Sequence, residues 1–286
     1  MTVFGAHAFV WSAEWDAEGA ERALRGATAR GLDFVEIPLL RDLEAFPLQL
    51  TRDLLAETGL EATTSLGLPR DRHMPQNPEG ALEHLEGAIE LTERLGATTL
   101  TGGLYTHLGT LTRKPPTSEE IQTCARTLKR AAGVAAEHGV DLGIEAINRY
   151  ETYMNNTAEQ VADLIDRIDE PNVFAHLDTY HMNIEERGFQ APIERLGDRL
   201  RYIHLSESDR GTPGIGNVHW DDVFAGLRAI GYDGYLAMES FVAVNEDIIG
   251  ATAIWRDIVG DPDTLIRDGL AFLQGKSREY GLWDGS

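Results

Sequence analysis

The sequence predicts an α/β chain closed into one (β/α)8 barrel. Three observations predict it. Short apolar runs alternate with longer amphipathic stretches from end to end. Eight such runs can be counted. No Pro/Ser-rich linker, low-complexity run or charge block divides the 286 residues. A barrel of this kind takes about 250 residues, so the length agrees. A repeated β–α unit closes most simply with all strands parallel; a doubly wound open sheet is the main rival. The chain is therefore read as a single domain over 1–286, with the barrel spanning about residues 3–275.

The predicted strands are 5–11 (GAHAFVW), 34–39 (FVEIPL), 61–68 (EATTSLGL), 98–105 (TTLTGGLY), 141–148 (DLGIEAIN), 173–180 (VFAHLDTY), 200–207 (LRYIHLSE) and 234–240 (GYLAMES). Each is short, apolar and bounded by polar or Gly-rich turns. Helical spacing appears between them. Segment 78–95 places Leu82, Leu85, Ile89, Leu91 and Leu95 near one face, with Gly96 as its stop. Segment 117–138 opens TSEE, a capping box with Thr117 as N-cap and Glu120 three residues on; segment 157–168 opens TAEQ, the same device. The tail after about 276 (KSREYGLWDGS) reads as peripheral.

Composition narrows the function. Hydrophobic residues make up 42%, enough for a large core, and the net charge of −22 repels nucleic acid and anionic membrane surfaces. The lone Cys124 can form no intramolecular disulfide or thiolate cluster, and is expected as a small buried hydrophobe. No run approaches 18 apolar residues, and MTVFGAHAFVW lacks the basic and apolar regions of a signal peptide. The expectation is a cytoplasmic protein with no nucleic-acid or membrane partner.

Barrel enzymes carry their sites at the C-terminal ends of the strands. There, strand five offers Glu145 and Asn148, strand six Asp178 and then His181, strand seven His204 and then Glu207, and strand eight Glu239. The groups sit inside apolar runs (GIEAI, AHLDTY, YIHLS, LAMES), where a carboxylate is costly unless paired or metal-bound. A salt-bridge network fails on counting, because these ends supply no Lys and only Arg149 and Arg210 nearby. Glu145, Asp178, His204 and Glu239 are therefore read as ligands of one divalent metal. An oxygen-rich set suits Mn²⁺, with Co²⁺ or Mg²⁺ as alternatives and Zn²⁺ not excluded. Strands five and eight lie three apart around the ring, so Glu145 and Glu239 flank the metal from nearly opposite sides. Two carboxylates so placed can take a proton from one face of a carbon and return it to the other, through an enediolate that the cation stabilises.

The blocks IEAINRYETYMNNT, HLDTYHMNIEE, YIHLSESDRG and GYDGYLAMESF resemble the ketose 3-epimerases acting on D-tagatose, D-allulose and L-ribulose, within the xylose-isomerase-like TIM-barrel sugar isomerases and epimerases. The resemblance runs over nearly the whole chain, from HAFVW to AIWRD. It implies the same four ligands, with Glu145 and Glu239 as catalytic acid/bases. It also implies that Glu151, His181 and Arg210 grip the O1–O3 end of the sugar. Asn148 is expected to orient a ligand or Arg149, His7 and Trp11 to line the pocket wall or to pack in the core or rim, and Phe241 to shape the sugar's far end. Loops 101–116 and 206–219 are where specificity is expected, and the Gly-rich RGTPGIGN is weighed as a phosphate site. The leading function is inversion of C3 of a free ketose by a homo-oligomer. The alternatives are an aldose–ketose isomerase, a lyase of C-glycosides or 3-oxo-glycosides that could need a hetero-subunit, and a non-catalytic sugar-binding barrel.

Overall fold

A computed structural model of the chain describes residues 2–283 apart from 40, 41, 243, 257, 259 and 260. Eight parallel strands pair in sequence order and close, β8 on β1, into a barrel. The strands are β1 Val3–His7, β2 Phe34–Pro38, β3 Glu61–Gly67, β4 Thr99–Gly103, β5 Asp141–Glu145, β6 Val173–Asp178, β7 Leu200–Leu205 and β8 Tyr235–Met238. The described helices are α1 Ala17–Ala29, α2 Leu48–Thr58, α3 Pro78–Leu95, α4 Ser118–Glu137, α5 Ala158–Ile168, α6 Thr179–Glu185, α7 Gln190–Leu196, α8 Trp220–Ala229, α9 Glu246–Thr252 and α10 Pro262–Glu279. None of them is long and apolar enough to cross a membrane. The open-sheet rival is excluded by closure.

The helix signals in the sequence act as read. Thr117 accepts from the Glu120 N–H at 3.2 Å while Glu120 returns to the Thr117 N–H at 2.8 Å. The Thr157 and Gln160 pair repeats this on α5. Such a cap is worth about 1 kcal/mol. Gly96 ends α3 in the left-handed conformation, at φ 84°.

Several strands are shorter than expected at their C-terminal ends. β1 stops at His7, whose ring Nδ1 accepts from the Phe9 N–H and turns Ala8–Val10 into a single 3-10 turn. β5 stops at Glu145 and β8 at Met238, so the ligand-type residues lie at the points where the chain leaves the sheet. The tail is less peripheral than expected. α10 runs on to Glu279, Ser277 is fully buried, and the Trp283 ring packs 5.5 Å from Phe4. Residues 284–286 lie outside the described residues.

The barrel interior is filled in layers. Phe34, Phe174 and Tyr202 form an aromatic floor. The two phenylalanines fit because each has a glycine as register partner: a Cβ on Gly5 would lie 2.5 Å from the Phe34 ring, and one on Gly143 2.7 Å from the Phe174 ring. Above this floor the interior turns polar, with His7, Glu36, His176 and His204, and the carboxylates of Glu145, Asp178 and Glu239 stand near the strand ends. Cys124 is buried in α4 as expected, and burial pushes its thiol up to about 12.

Candidate functional site

A cavity of about 450 Å³ opens at the C-terminal end of the barrel, lined among others by Glu145, Glu151, His181, His204, Arg210 and Glu239. Asp178, buried and out of contact with solvent, lies just behind it. Ligand atoms of Asp178, His204 and Glu239 all fall within 4.8 Å of one another, as do those of Glu145, Asp178 and His181 and those of Glu145, His176 and His204. Three of the four expected ligands thus share one group, and Glu145 meets Asp178 and His204 in the other two.

Hydrogen bonding separates the histidines. His181 Nδ1 accepts from the Asn148 backbone N–H at 3.3 Å and its amide Nδ2 at 2.8 Å. Nε2 of His181 then carries the proton, 3.6 Å from Asp178 and 3.7 Å from Glu145, which makes it a donor rather than a ligand. His204 is the reverse. Its Nε2 donates to Glu36 Oε2 at 2.7 Å. Its Nδ1, buried and without a hydrogen-bond partner, faces Glu239 at 3.5 Å and Glu145 at 3.8 Å. An orphaned imidazole nitrogen among three buried carboxylates fits a divalent cation.

Electrostatics distinguish the two glutamates. Burial pushes Glu145 well above the usual carboxylate range. Burial acts on Glu239 too, but the Arg210 guanidinium and His204 outweigh it and hold that carboxyl low. For His204, burial lowers the imidazole, yet Glu36 and Glu239 raise it to about 10, so a proton competes with a cation for Nδ1. Arg210 is buried against Asp178 (2.6 Å), Ser206 Oγ (2.9 Å) and Glu239. Its plane sits over the Tyr180 ring at 4.0 Å with Phe241 at 5.1 Å on the cavity side. Its backbone is left-handed at φ 65°, a strained state that persists because the surroundings fix it. The Ser240 hydroxyl holds its carbonyl at 2.6 Å.

The sequence profile of the xylose isomerase-like TIM barrels matches residues 24–276 of the chain. The chain belongs to that family. Within it, the chain is 38% identical to an L-ribulose 3-epimerase from Methylomonas sp. (strain DH-1), over 95% of this chain and 96% of the relative. It is 36% identical to a ketose 3-epimerase from Arthrobacter globiformis, over 95% and 96%. A crystal structure of a D-allulose 3-epimerase from Methylomonas sp. in complex with D-allulose superposes with a TM-score of 0.92 at 37% identity, covering 96% of this chain and 97% of that one.

The other expected site residues divide. Glu151 is buried on the cavity wall; burial pushes its carboxyl up to about 7, and it accepts from Asn148 Nδ2 at 2.8 Å. Asn148 thus orients His181 and Glu151, not Arg149, which turns outward to Glu185 at 2.7 Å. Phe241 and His7 line the cavity. Trp11 sits in the core, where a Cβ on Gly26 of α1 would meet its indole at 2.8 Å. The 3-10 turn after His7 replaces the strand period of two, so Phe9 rather than Trp11 stays on the His7 face, 4.3 Å between ring centroids. Loop 101–116 contributes Gly102, Gly103, His107 and Leu108 to the cavity. Loop 206–219 is tied to one carboxylate. Glu207 accepts from the N–H groups of Ser208, Gly214 and Val218 at 2.8, 2.9 and 3.0 Å and from Trp220 Nε1 at 3.1 Å. Of the RGTPGIGN amides, that of Gly214 is thereby engaged.

Sequence reasoning missed Glu36. It is fully buried in β2, bonded to His204 and to the Tyr202 hydroxyl at 2.7 Å each. The signal was the one used for the ligands, a carboxylate inside an apolar strand (FVEIP).

Proposed function

We propose that this chain, one TIM-barrel domain over 1–286, inverts C3 of a free ketose with Glu145 and Glu239 as its two acid/bases. The observation that carries this is their placement. The two carboxylates come from the end of β5 and the residue after β8, line one cavity, and both face the unpartnered Nδ1 of His204. One of the two takes the proton from one face of C3 and the other returns a proton to the opposite face; the roles exchange for the reverse epimer. His181 Nε2–H, Arg210 and Glu151 are proposed to hold the O1–O3 end of the sugar, and Phe241 and His7 to wall its surroundings.

Glu145, Asp178, His204 and Glu239 are the proposed ligands of one divalent metal, Mn²⁺ first and Co²⁺ or Mg²⁺ as alternatives. Bound there, it supplies Lewis-acid stabilisation of the negative charge that develops beside C3. We further propose a cytoplasmic homo-oligomer; light scattering at 31.5 kDa across a range of concentrations would count against the assembly.

The test is incubation of metal-loaded protein in D₂O with a panel of ketoses, followed by NMR. Deuterium at C3 in both epimers is the expected result. Deuterium at C1 or C2 would instead indicate an aldose–ketose isomerase, and an aglycone released from a 3-oxo-glycoside would indicate a lyase.

A further inference from the structure

We infer that Glu36 is a positioning residue: it fixes the ring of His204 so that Nδ1, and not Nε2, is presented to the metal. The inference rests on the metal reading above and adds a residue to it. A carboxylate accepts and does not donate, so the 2.7 Å contact with Glu36 Oε2 requires that His204 Nε2 carry hydrogen. That leaves Nδ1 as the atom able to offer a lone pair, and Nδ1 is the atom that faces Glu145 and Glu239 without a partner.

The rest of the polar layer holds Glu36 in turn. Tyr202 donates to the same oxygen at 2.7 Å and itself contacts Thr63 Oγ1 at 2.9 Å. On the other side, His7 Nδ1 is occupied by the Phe9 N–H, and its Nε2 contacts Ser65 Oγ at 3.3 Å while lying 3.5 Å from Glu36 Oε1, which has no hydrogen-bond partner. β2 and β7 are thus joined beneath the site by one carboxylate that has no access to solvent. A purely structural ion pair between strands would account for the burial and the Tyr202 bond. It would not require the far nitrogen of His204 to be left open toward three carboxylates. A carboxylate behind a ligating imidazole fixes its tautomer and raises its basicity, and losing such a partner typically weakens metal binding by about 10–100-fold.

The experiment compares wild type, Glu36→Gln and Tyr202→Phe. Mn²⁺ binding is measured directly, from the EPR signal of free Mn²⁺ during titration, with circular dichroism to confirm folding. Glu36→Gln is expected to bind Mn²⁺ about 10–100-fold more weakly. Tyr202→Phe, which loses a bond to the same oxygen but keeps the His204 contact, should bind close to wild type even if its melting temperature falls. In ¹⁵N-histidine NMR of the wild type loaded with diamagnetic Mg²⁺, His204 should show a protonated Nε2 and an unprotonated Nδ1. This needs no variant, so it decides the matter even if Glu36→Gln does not fold. A folded Glu36→Gln with unchanged Mn²⁺ affinity, or a wild-type His204 protonated at Nδ1 in the loaded protein, overturns the inference while leaving the metal reading intact. A wild type that binds no divalent cation overturns the metal reading itself.

Discussion

Glu145→Gln and Glu239→Gln should move the stability of the metal-stripped protein in different directions. Glu239 is a partner of the buried Arg210 guanidinium and also accepts from Ser206 Oγ at 3.3 Å. Removing its charge strands a cation that is 4% exposed. Breaking a buried pair costs about 3–5 kcal/mol, and because Asp178 remains 2.6 Å from the guanidinium, the lower end, about 3 kcal/mol, applies. The nearest opposite charge to Glu145 is the His204 imidazole at 3.8 Å; that of His181, at 3.7 Å, is held neutral by burial and Arg210. Burial and the neighbouring Asp178 and Glu239 disfavour its ionised form, so a neutral amide there is neutral or stabilising. At about 2 °C per kcal/mol for a chain of this size, Glu239→Gln should lower the melting temperature by about 6 °C, with Glu145→Gln at or above wild type. The measurement is calorimetry at pH 7 on chelator-dialysed protein, with metal loss checked by elemental analysis. Equal losses in the two variants, or no loss in Glu239→Gln, would refute the assignment of Arg210 as the counter-ion of Glu239.

Three further outcomes are expected. With metal restored, each Gln variant should lose about 10²–10⁴-fold in kcat, and each should retain solvent exchange for one epimer only, the opposite one in the two variants; both variants exchanging both epimers near wild-type rates would end the two-base mechanism. Chelation should abolish turnover and added Mn²⁺ or Co²⁺ restore it, and full activity in protein shown to be metal-free would be the contrary result. His73, away from the ligands, is held at about 4 by burial, with His107 adding to the lowering. Its unfolded value is near 6.5, so the folded state binds fewer protons between the two: the contribution is complete above pH 6.5 and is lost as pH falls toward 4, by up to about 3 kcal/mol. His73→Asn keeps an acceptor for the His107 N–H, now met at 3.0 Å, and should flatten urea-unfolding stability between pH 4 and 6.5; an unchanged slope would count against the burial argument.

The architecture was legible because the signals for it are local. Capping boxes at Thr117 and Thr157, the Gly96 stop and the apolar strands are written in neighbouring residues and survive into the structure. The strand ends were not. Asn148, Tyr180 and Glu207 continue the apolar runs by pattern, but the ladder stops at Glu145, Asp178 and Leu205, because the chain leaves the sheet there. The turn after β5 gives the reason: Asn148 folds back to bond Glu151 and His181, contacts that a continuing strand would not allow.

The ligand set was legible for a different reason, which also explains what escaped. Ionisable residues in apolar strands are costly enough to be conspicuous one at a time. Their partners across the barrel are not, because register and stagger decide them. Glu36 stands 168 residues from His204 in sequence and 2.7 Å from it in space. Nothing local to FVEIP says which imidazole it meets. Trp11 took the core place left open for it, by a related logic. Its position two residues beyond Phe9 argues for the His7 face only while the strand period holds, and the His7 ring ends that period by capping the Phe9 N–H. A buried charge can therefore be found from sequence, whereas its counterpart follows only from the closed barrel. That is why the three carboxylates and His204 could be named beforehand, while the partner of His204 Nε2 required the structure.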